Sequence, residues 1–331
     1  MLNFKKIPSI LISVCLVFCI ILFSGCTQNE NKNTNENSDK LSIVCTIFPV
    51  YDWVKQILGE KFDDCNVTLL LDNGVDLHNY QPTANDIINI STCDMFIYVG
   101  GESDDWVDGV LASANNDKMA KINLLEVLGG DAKEEEMLDG MEVEDEADGS
   151  ETHALDEHIW LSLKNAQKLC GYISAKLCEI DSANSSVYSQ NAENYIGKLS
   201  TLDKKYQTAT DTDGDIVLLF GDRFPFRYMA DDYGITCFAA FSGCSAETEA
   251  SFETISFLAG KVDEFNLKTV LTIEGSHSQI AQTIIATTSE KNQQVLALDS
   301  MQSTTSKDIE NGADYLTIMQ KNLEVLKQAL A

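Results

Sequence analysis

Four histidines occur in the chain: His78, His153, His158 and His277. Two of them stand where an apolar run meets a polar loop, His78 within GVDLHNYQPT and His158 within DEHIWL. Two carboxylates take comparable places further along, Glu274 directly after TVLTI and Asp299 directly after VLAL. Zinc accepts imidazole nitrogen and carboxylate oxygen in a tetrahedron, and manganese tolerates the same mixture. His78, His158, Asp299 and Glu274 are therefore the candidate metal ligands. None of them shows a local ligand spacing such as HExxH, so only the fold can bring them together. A histidine taken alone is more often a surface group or a satisfied core residue than a ligand.

The elements that must position these residues alternate in type. Residues 41–48 (LSIVCTIF) read as a buried strand, and 51–58 continue with helical spacing and Gly59 as a stop. Residues 67–71 form a second strand that runs into the His78 loop. A short helix over 84–90 leads to a third strand over 95–99, ending at Gly100-Gly101. Strand–helix alternation implies a parallel sheet whose binding crevice lies at the carboxyl ends of its strands. His78, Gly100 and Gly101 fall at that edge. His158 opens an amphipathic stretch with Leu161, Ala166, Leu169, Ile173 and Leu177 near the helical period, and a further helix covers 185–205. The second half repeats the α/β order, with strands at 216–220, 236–241, 269–273 and 295–298. Helices are expected over 227–233, 252–265, 280–288 and 315–330. Two such halves joined by a long helical connection would leave a cleft between them.

Composition narrows the class of function. The formal net charge of −29 sets the surface against nucleic-acid phosphates and suits cations. Lys5 and Lys6 precede an apolar run over 7–23 that ends in Phe23-Ser24-Gly25-Cys26, the pattern of an export signal. Cys26 directly after Ser24-Gly25 fits a lipobox, in which it becomes the lipidated first residue; an uncleaved anchor is the alternative, just short of a typical span. Residues 27–40 are polar and read as a tether. Of ten cysteines, Cys15 and Cys19 leave with the signal and Cys26 takes lipid. The odd remainder, with no CxxC pair, indicates neither a zinc ribbon nor a full disulfide framework. From 131 to 157 the chain turns strongly acidic, which reads as a solvated loop or as a low-affinity gatherer of cations acting over roughly 8 Å.

IVCTIFPVYDWVKQILGE, GVDLHNYQPTANDI, CDMFIYVGG, DEHIWLSLKNA, DRFPFRYMADDYGI and LDSMQ, in that order, resemble the metal-binding lipoproteins of ABC-type zinc and manganese importers. The resemblance implies an α/β fold of two Rossmann-like lobes with parallel sheets, joined by a long rigid helix, with metal in the cleft. It implies a signal peptide over 1–25, a tether over 26–40, a first lobe over 41–162 that includes the acidic loop, a linking segment over 163–210 and a second lobe over 211–331. His78, His158 and Asp299 match positions of family ligands. The position of the family's third ligand, a His or Glu, falls on Arg223, whose guanidinium has no lone pair for a metal. Water, Asp222, Glu274 or a bidentate Asp299 could replace it, and Arg223 could instead hold a carboxylate in place.

The implied role is capture of Zn²⁺, or Mn²⁺, by a monomer on the outer face of a bacterial cytoplasmic membrane. Partners would be an ABC permease and its ATPase. A zinc hydrolase using Glu274 or Glu157 as base and a surface adhesin are the competing classes. His277 matches no family position and reads as a surface residue.

Overall fold

β1 (Ser42–Cys45) is apolar and β-branched at its centre, as a strand covered on both faces must be. In the computed structural model it lies in a four-stranded parallel sheet with β2 (Asn66–Leu69), β3 (Met95–Tyr98) and β4 (Ala120–Asn123), in the order β2-β1-β3-β4. A second parallel sheet repeats the pattern with β5 (Ile216–Phe224), β6 (Ile235–Ser242), β7 (Thr269–Ile273) and β8 (Gln294–Leu298), ordered β6-β5-β7-β8. Each chain path moves to one side of its first strand and then returns to the other. Ligands bind at such reversals, outside the carboxyl ends of the strands.

The structure describes residues 40–141, 154–245 and 249–331. Packing divides the chain after Lys40, and the unit from Leu41 to Ala331 carries both sheets. The expected signal segment, Cys26, the tether through residue 39 and His153 lie outside the described residues.

In the first half come α1 (Phe48–Leu58), α2 (Ala84–Thr92), α3 (Trp106–Leu111) and α4 (Leu124–Leu128). α5 (Leu163–Ile180) and α6 (Ser185–Ala209) make the connection. The second half carries α7 (Arg227–Tyr233), α8 (Phe252–Glu264), α9 (Gln279–Thr287), α10 (Ser306–Glu310) and α11 (Tyr315–Ala329). The apolar pattern extends the first strand to residue 48. Instead β1 stops at Cys45 and α1 begins at Phe48, since Pro49 in the first helical turn suits a helix start and has no N–H for a ladder. β4 has no counterpart among the expected strands, because AKIN lacks the apolar run that marks the others.

The connection is two helices rather than one. α5 and α6 pack against each other around a short turn over Ser182–Asn184. α6, about 37 Å long at 1.5 Å per residue, buries one stripe: Tyr188, Ala192, Tyr195, Leu199, Leu202 and Tyr206. Alternating steps of four and three keep that stripe on one face while the rest stays polar. It packs on α1 and α11, so first-half and last elements share one spine. A continuous core runs through both halves, and a smaller one lies between the second sheet and α8 and α9. Trp160 Nε1 donates to Ser300 O at 2.8 Å, and the Tyr315 hydroxyl donates to Trp160 O at 2.6 Å, tying the halves near the strand ends.

Asp52 of α1 sits in this seam, accepting from Tyr315 N at 3.1 Å and from Tyr195 OH at 3.5 Å. Burial lifts its carboxyl to about 6, against hydrogen bonds from Tyr315 and Gln56 that lower it. A raised carboxyl favours the fold while protonated, so its contribution is complete below about pH 4 and is lost as pH climbs through 6. Asp52→Asn keeps an acceptor for Tyr315 N and removes the charge. Urea unfolding should show the variant gaining on the parent by up to ~3 kcal/mol between about pH 4 and pH 7.5. A difference that does not change with pH would contradict this account.

Candidate metal centre

The loop after β2 is built to present His78. Asp76 caps the short turn Leu77–Asn79 by accepting from His78 N at 3.1 Å, and Leu77 is buried beneath it. The other oxygen of Asp76 accepts from Arg223 at 2.8 Å, across 147 residues of chain. Arg223 is brought there by an irregularity in β5 between Phe220 and Arg223, which re-aims the end of the strand. Arg223 thus holds the carboxylate that caps the His78 turn and offers nothing to a metal. The turn after β3 supplies Ser103, whose Oγ lies 2.7 Å from His78 Nδ1. Gly101, at φ +82°, lets that turn lie against Glu157, where any Cβ would collide with the carboxylate. Glu157 in turn accepts from Ser103 N at 2.8 Å.

His158 is positioned by the far end of the acidic segment. Glu135 N donates to Ala154 O at 2.7 Å and Asp156 N to Lys133 O at 2.8 Å, which pins the two ends of that segment together. Asp156 Oδ1 accepts from His158 N at 2.8 Å and faces His158 Nδ1 at 3.1 Å. With both Nδ1 atoms engaged, both Nε2 atoms point at each other, 3.3 Å apart. Cys244 follows β6 in the second sheet, and its sulfur lies within 4.8 Å of both histidine donor atoms. No other group of three or more His, Cys, Asp or Glu donors as tight occurs among the described residues.

Charge around the pair is negative. Burial, then the charge of His158, depresses His78 to about 4, although Asp76 opposes this. Burial works against a charge on His158 too, but Asp156, with Glu157 and Asp76, outweighs it and leaves that ring raised. The two rings are thus pushed in opposite directions, His78 towards its neutral form and His158 towards its charged one. Burial and then Glu135, Glu157 and Asp156 push the Cys244 thiol far up. Glu157, itself raised by burial, keeps Oε2 3.5 Å from His78 Nδ1 with no hydrogen bond.

The two expected carboxylates do not join this group. Glu274 accepts from Ser300 N at 2.7 Å, Ser300 Oγ at 2.8 Å and Gln302 N at 3.2 Å. Asp299 accepts from Met301 N at 2.8 Å, while Asn322 holds its backbone from both sides. Both serve a turn in which Met301 has φ +62°, a left-handed conformation that needs such support. His277 is exposed. Cys244 escapes a reading of the sequence because its neighbours carry no cysteine spacing. The available signal is its position, two residues past a strand end on the crevice side.

Residues 43–329 match the family model described as zinc-uptake complex component A, periplasmic. This chain belongs to the zinc-uptake component A family. It is 29% identical over 332 residues to the high-affinity zinc uptake system protein ZnuA of Bacillus subtilis, covering 99% of this chain and 98% of that one. The zinc-binding lipoprotein AdcA of Streptococcus pneumoniae is 29% identical over 328 residues, and this chain spans 61% of its length. The crystal structure of the Zn(II)-bound ZnuA-like domain of that AdcA superposes with a TM-score of 0.68 at 30% identity, over 88% of this chain and 98% of the other. The family membership agrees with the two parallel sheets and with a cation-binding centre.

Gly243 shows how closely the second half approaches. A Cβ there would lie 2.9 Å from His158 Cε1 and 3.0 Å from the Phe224 carbonyl. Gly243→Ala should push His158 off its line to His78 while leaving both cores intact. Titration with Zn²⁺ should then show at least tenfold weaker binding, about 1.4 kcal/mol or more, in a variant whose circular dichroism matches the parent. Unchanged affinity would mean that the Gly243 turn does not set the site.

Proposed function

We propose that this chain is an extracytoplasmic, lipid-anchored solute-binding protein. It captures Zn²⁺, with Mn²⁺ a weaker cargo, through His78 and His158 and delivers it to an ABC-type permease driven by its ATPase. The observation that carries this reading is the 3.3 Å separation of two Nε2 atoms whose Nδ1 atoms are already engaged. A tetrahedron with Zn–N arms of ~2.05 Å has edges of ~3.3 Å, so a zinc ion fits between the rings without moving either. Ser103 and Asp156 are the outer partners that fix ring orientation and basicity in zinc sites. The relatives' names, a zinc uptake protein and a zinc-binding lipoprotein, support the same cargo.

Function here is binding and release, with no reaction to catalyse. Glu157 and Glu274, the bases a hydrolase would need, accept hydrogen bonds from Ser103 and from the 300–303 turn. Lipid on Cys26 and a polar tether would keep the protein beside the permease, and the charge of −29 would enrich cations around it. Calorimetric titration tests the assignment. The parent chain should bind one Zn²⁺ tightly, and the double variant His78→Ala, His158→Ala should lose at least a hundredfold, about 2.7 kcal/mol. Tight binding retained by the double variant would overturn it.

A further inference from the structure

Two donors do not hold zinc, and the positions expected to complete the set also have structural partners. Arg223 pairs with Asp76, while Asp299 and Glu274 support the 300–303 turn. What the second half does bring to the pair is the Cys244 sulfur, within 4.8 Å of both imidazole donors. We propose that Cys244 is the third protein donor, making a His78–His158–Cys244 site whose thiolate selects zinc over manganese. This rests on the capture of zinc proposed above.

Geometry comes first. With arms of ~2.05 Å to nitrogen and ~2.3 Å to sulfur, the N–S edge of a zinc tetrahedron is ~3.6 Å. The sulfur, at most 4.8 Å away, must therefore close by no more than about 1.2 Å, within reach of a rotation at Cβ and a small shift of the turn. Gly243, directly before it, permits the approach to His158 on which this depends.

The surroundings also suit a cation. Two carboxylate oxygens beside the cluster, Glu157 Oε2 and Glu135 Oε1, are buried without hydrogen-bond partners. Glu157 is only 2% exposed, and the Glu135 side chain lies against the Cys244 thiol. Oxygens of this kind are costly unless a positive charge faces them. Cys244 is in no disulfide among the described residues, so none competes for it. On binding, the S–H bond breaks, its proton leaves to water and the sulfur electron pair forms the Zn–S bond.

Ligand softness gives the consequence. Thiolate favours zinc, whereas manganese prefers carboxylate, carbonyl and water, and it stands lowest in the general affinity order. A serine at this position would leave a harder, weaker donor and narrow the preference.

X-ray absorption at the zinc edge of the loaded parent chain tests the ligand directly. One sulfur at ~2.3 Å beside nitrogen scatterers is expected; a shell of nitrogen and oxygen alone overturns the proposal and leaves zinc capture standing. Cobalt substitution gives a second reading, with a thiolate-to-cobalt charge-transfer band present in the parent and absent in Cys244→Ser. Competition titrations should show that variant losing more than about tenfold for Zn²⁺ and much less for Mn²⁺. Equal losses for both metals, or none, contradict the selectivity. A parent chain that binds no zinc refutes the function itself, which is a separate outcome.

Discussion

Two buried imidazoles face each other at 3.3 Å inside a ring of carboxylates, and this pairing constrains everything near it. Burial, and then the facing His158, depress His78, while Asp156 works against burial and raises His158. Three chain segments must meet for the pair to form: the loop after β2, the turn after β3 and the end of the acidic segment. Each brings its own support. Asp76 caps the His78 turn, Ser103 receives His78 Nδ1 and Asp156 faces His158 Nδ1. Arg223 then links the first of these to the second sheet. Arg223, at the position where the resemblance expects a ligand, instead pairs with the carboxylate that caps the His78 turn.

The rest of the fold keeps this meeting point from drifting. Shared helices and a continuous core, rather than a slender hinge, connect the halves. Trp160, two residues after His158, donates across to Ser300, and Tyr315 donates its hydroxyl to Trp160 O in turn. Ser306 N donates to Asp72 O at 2.7 Å, fastening the base of the His78 loop to the last quarter of the chain. The support that Glu274 and Asp299 give to the 300–303 turn belongs to the same task. They hold the turn whose Ser300 carbonyl accepts from Trp160.

How much of this is legible in the sequence depends on what each signal measures. Apolar-rich segments mark seven of the eight strands, and β4, with only Ala120 and Ile122 apolar, leaves no such trace. His78 and His158 stand out because histidine is scarce and both lie at the turn from apolar to polar. The same positional argument selects Glu274 and Asp299, which lie outside the tight donor group of His78, His158 and Cys244. A carboxylate at a strand end can also accept backbone N–H groups, and these two do so in the turn where Met301 is left-handed. Cys244 is hidden for the converse reason. Single cysteines are commonly inert and buried, and only three-dimensional placement distinguishes this one from Cys45 or Cys237.

The charge balance explains how such an acidic centre can exist both with and without its cargo. Asp76 is matched by Arg223, and Asp156 raises the His158 ring that it faces. Burial and its acidic neighbours raise the Cys244 thiol. At the proposed His78–His158–Cys244 site, a divalent ion would displace the thiol proton and any proton on the imidazoles. Protons that leave would offset part of the charge that arrives, so the charge inside the ring would change by less than the ion's own. Glu157 Oε2 and Glu135 Oε1, which have no hydrogen-bond partner, would then lie beside a cation. Exchange of protons for metal also ties loading to pH, since imidazole and thiol bind a metal only when deprotonated.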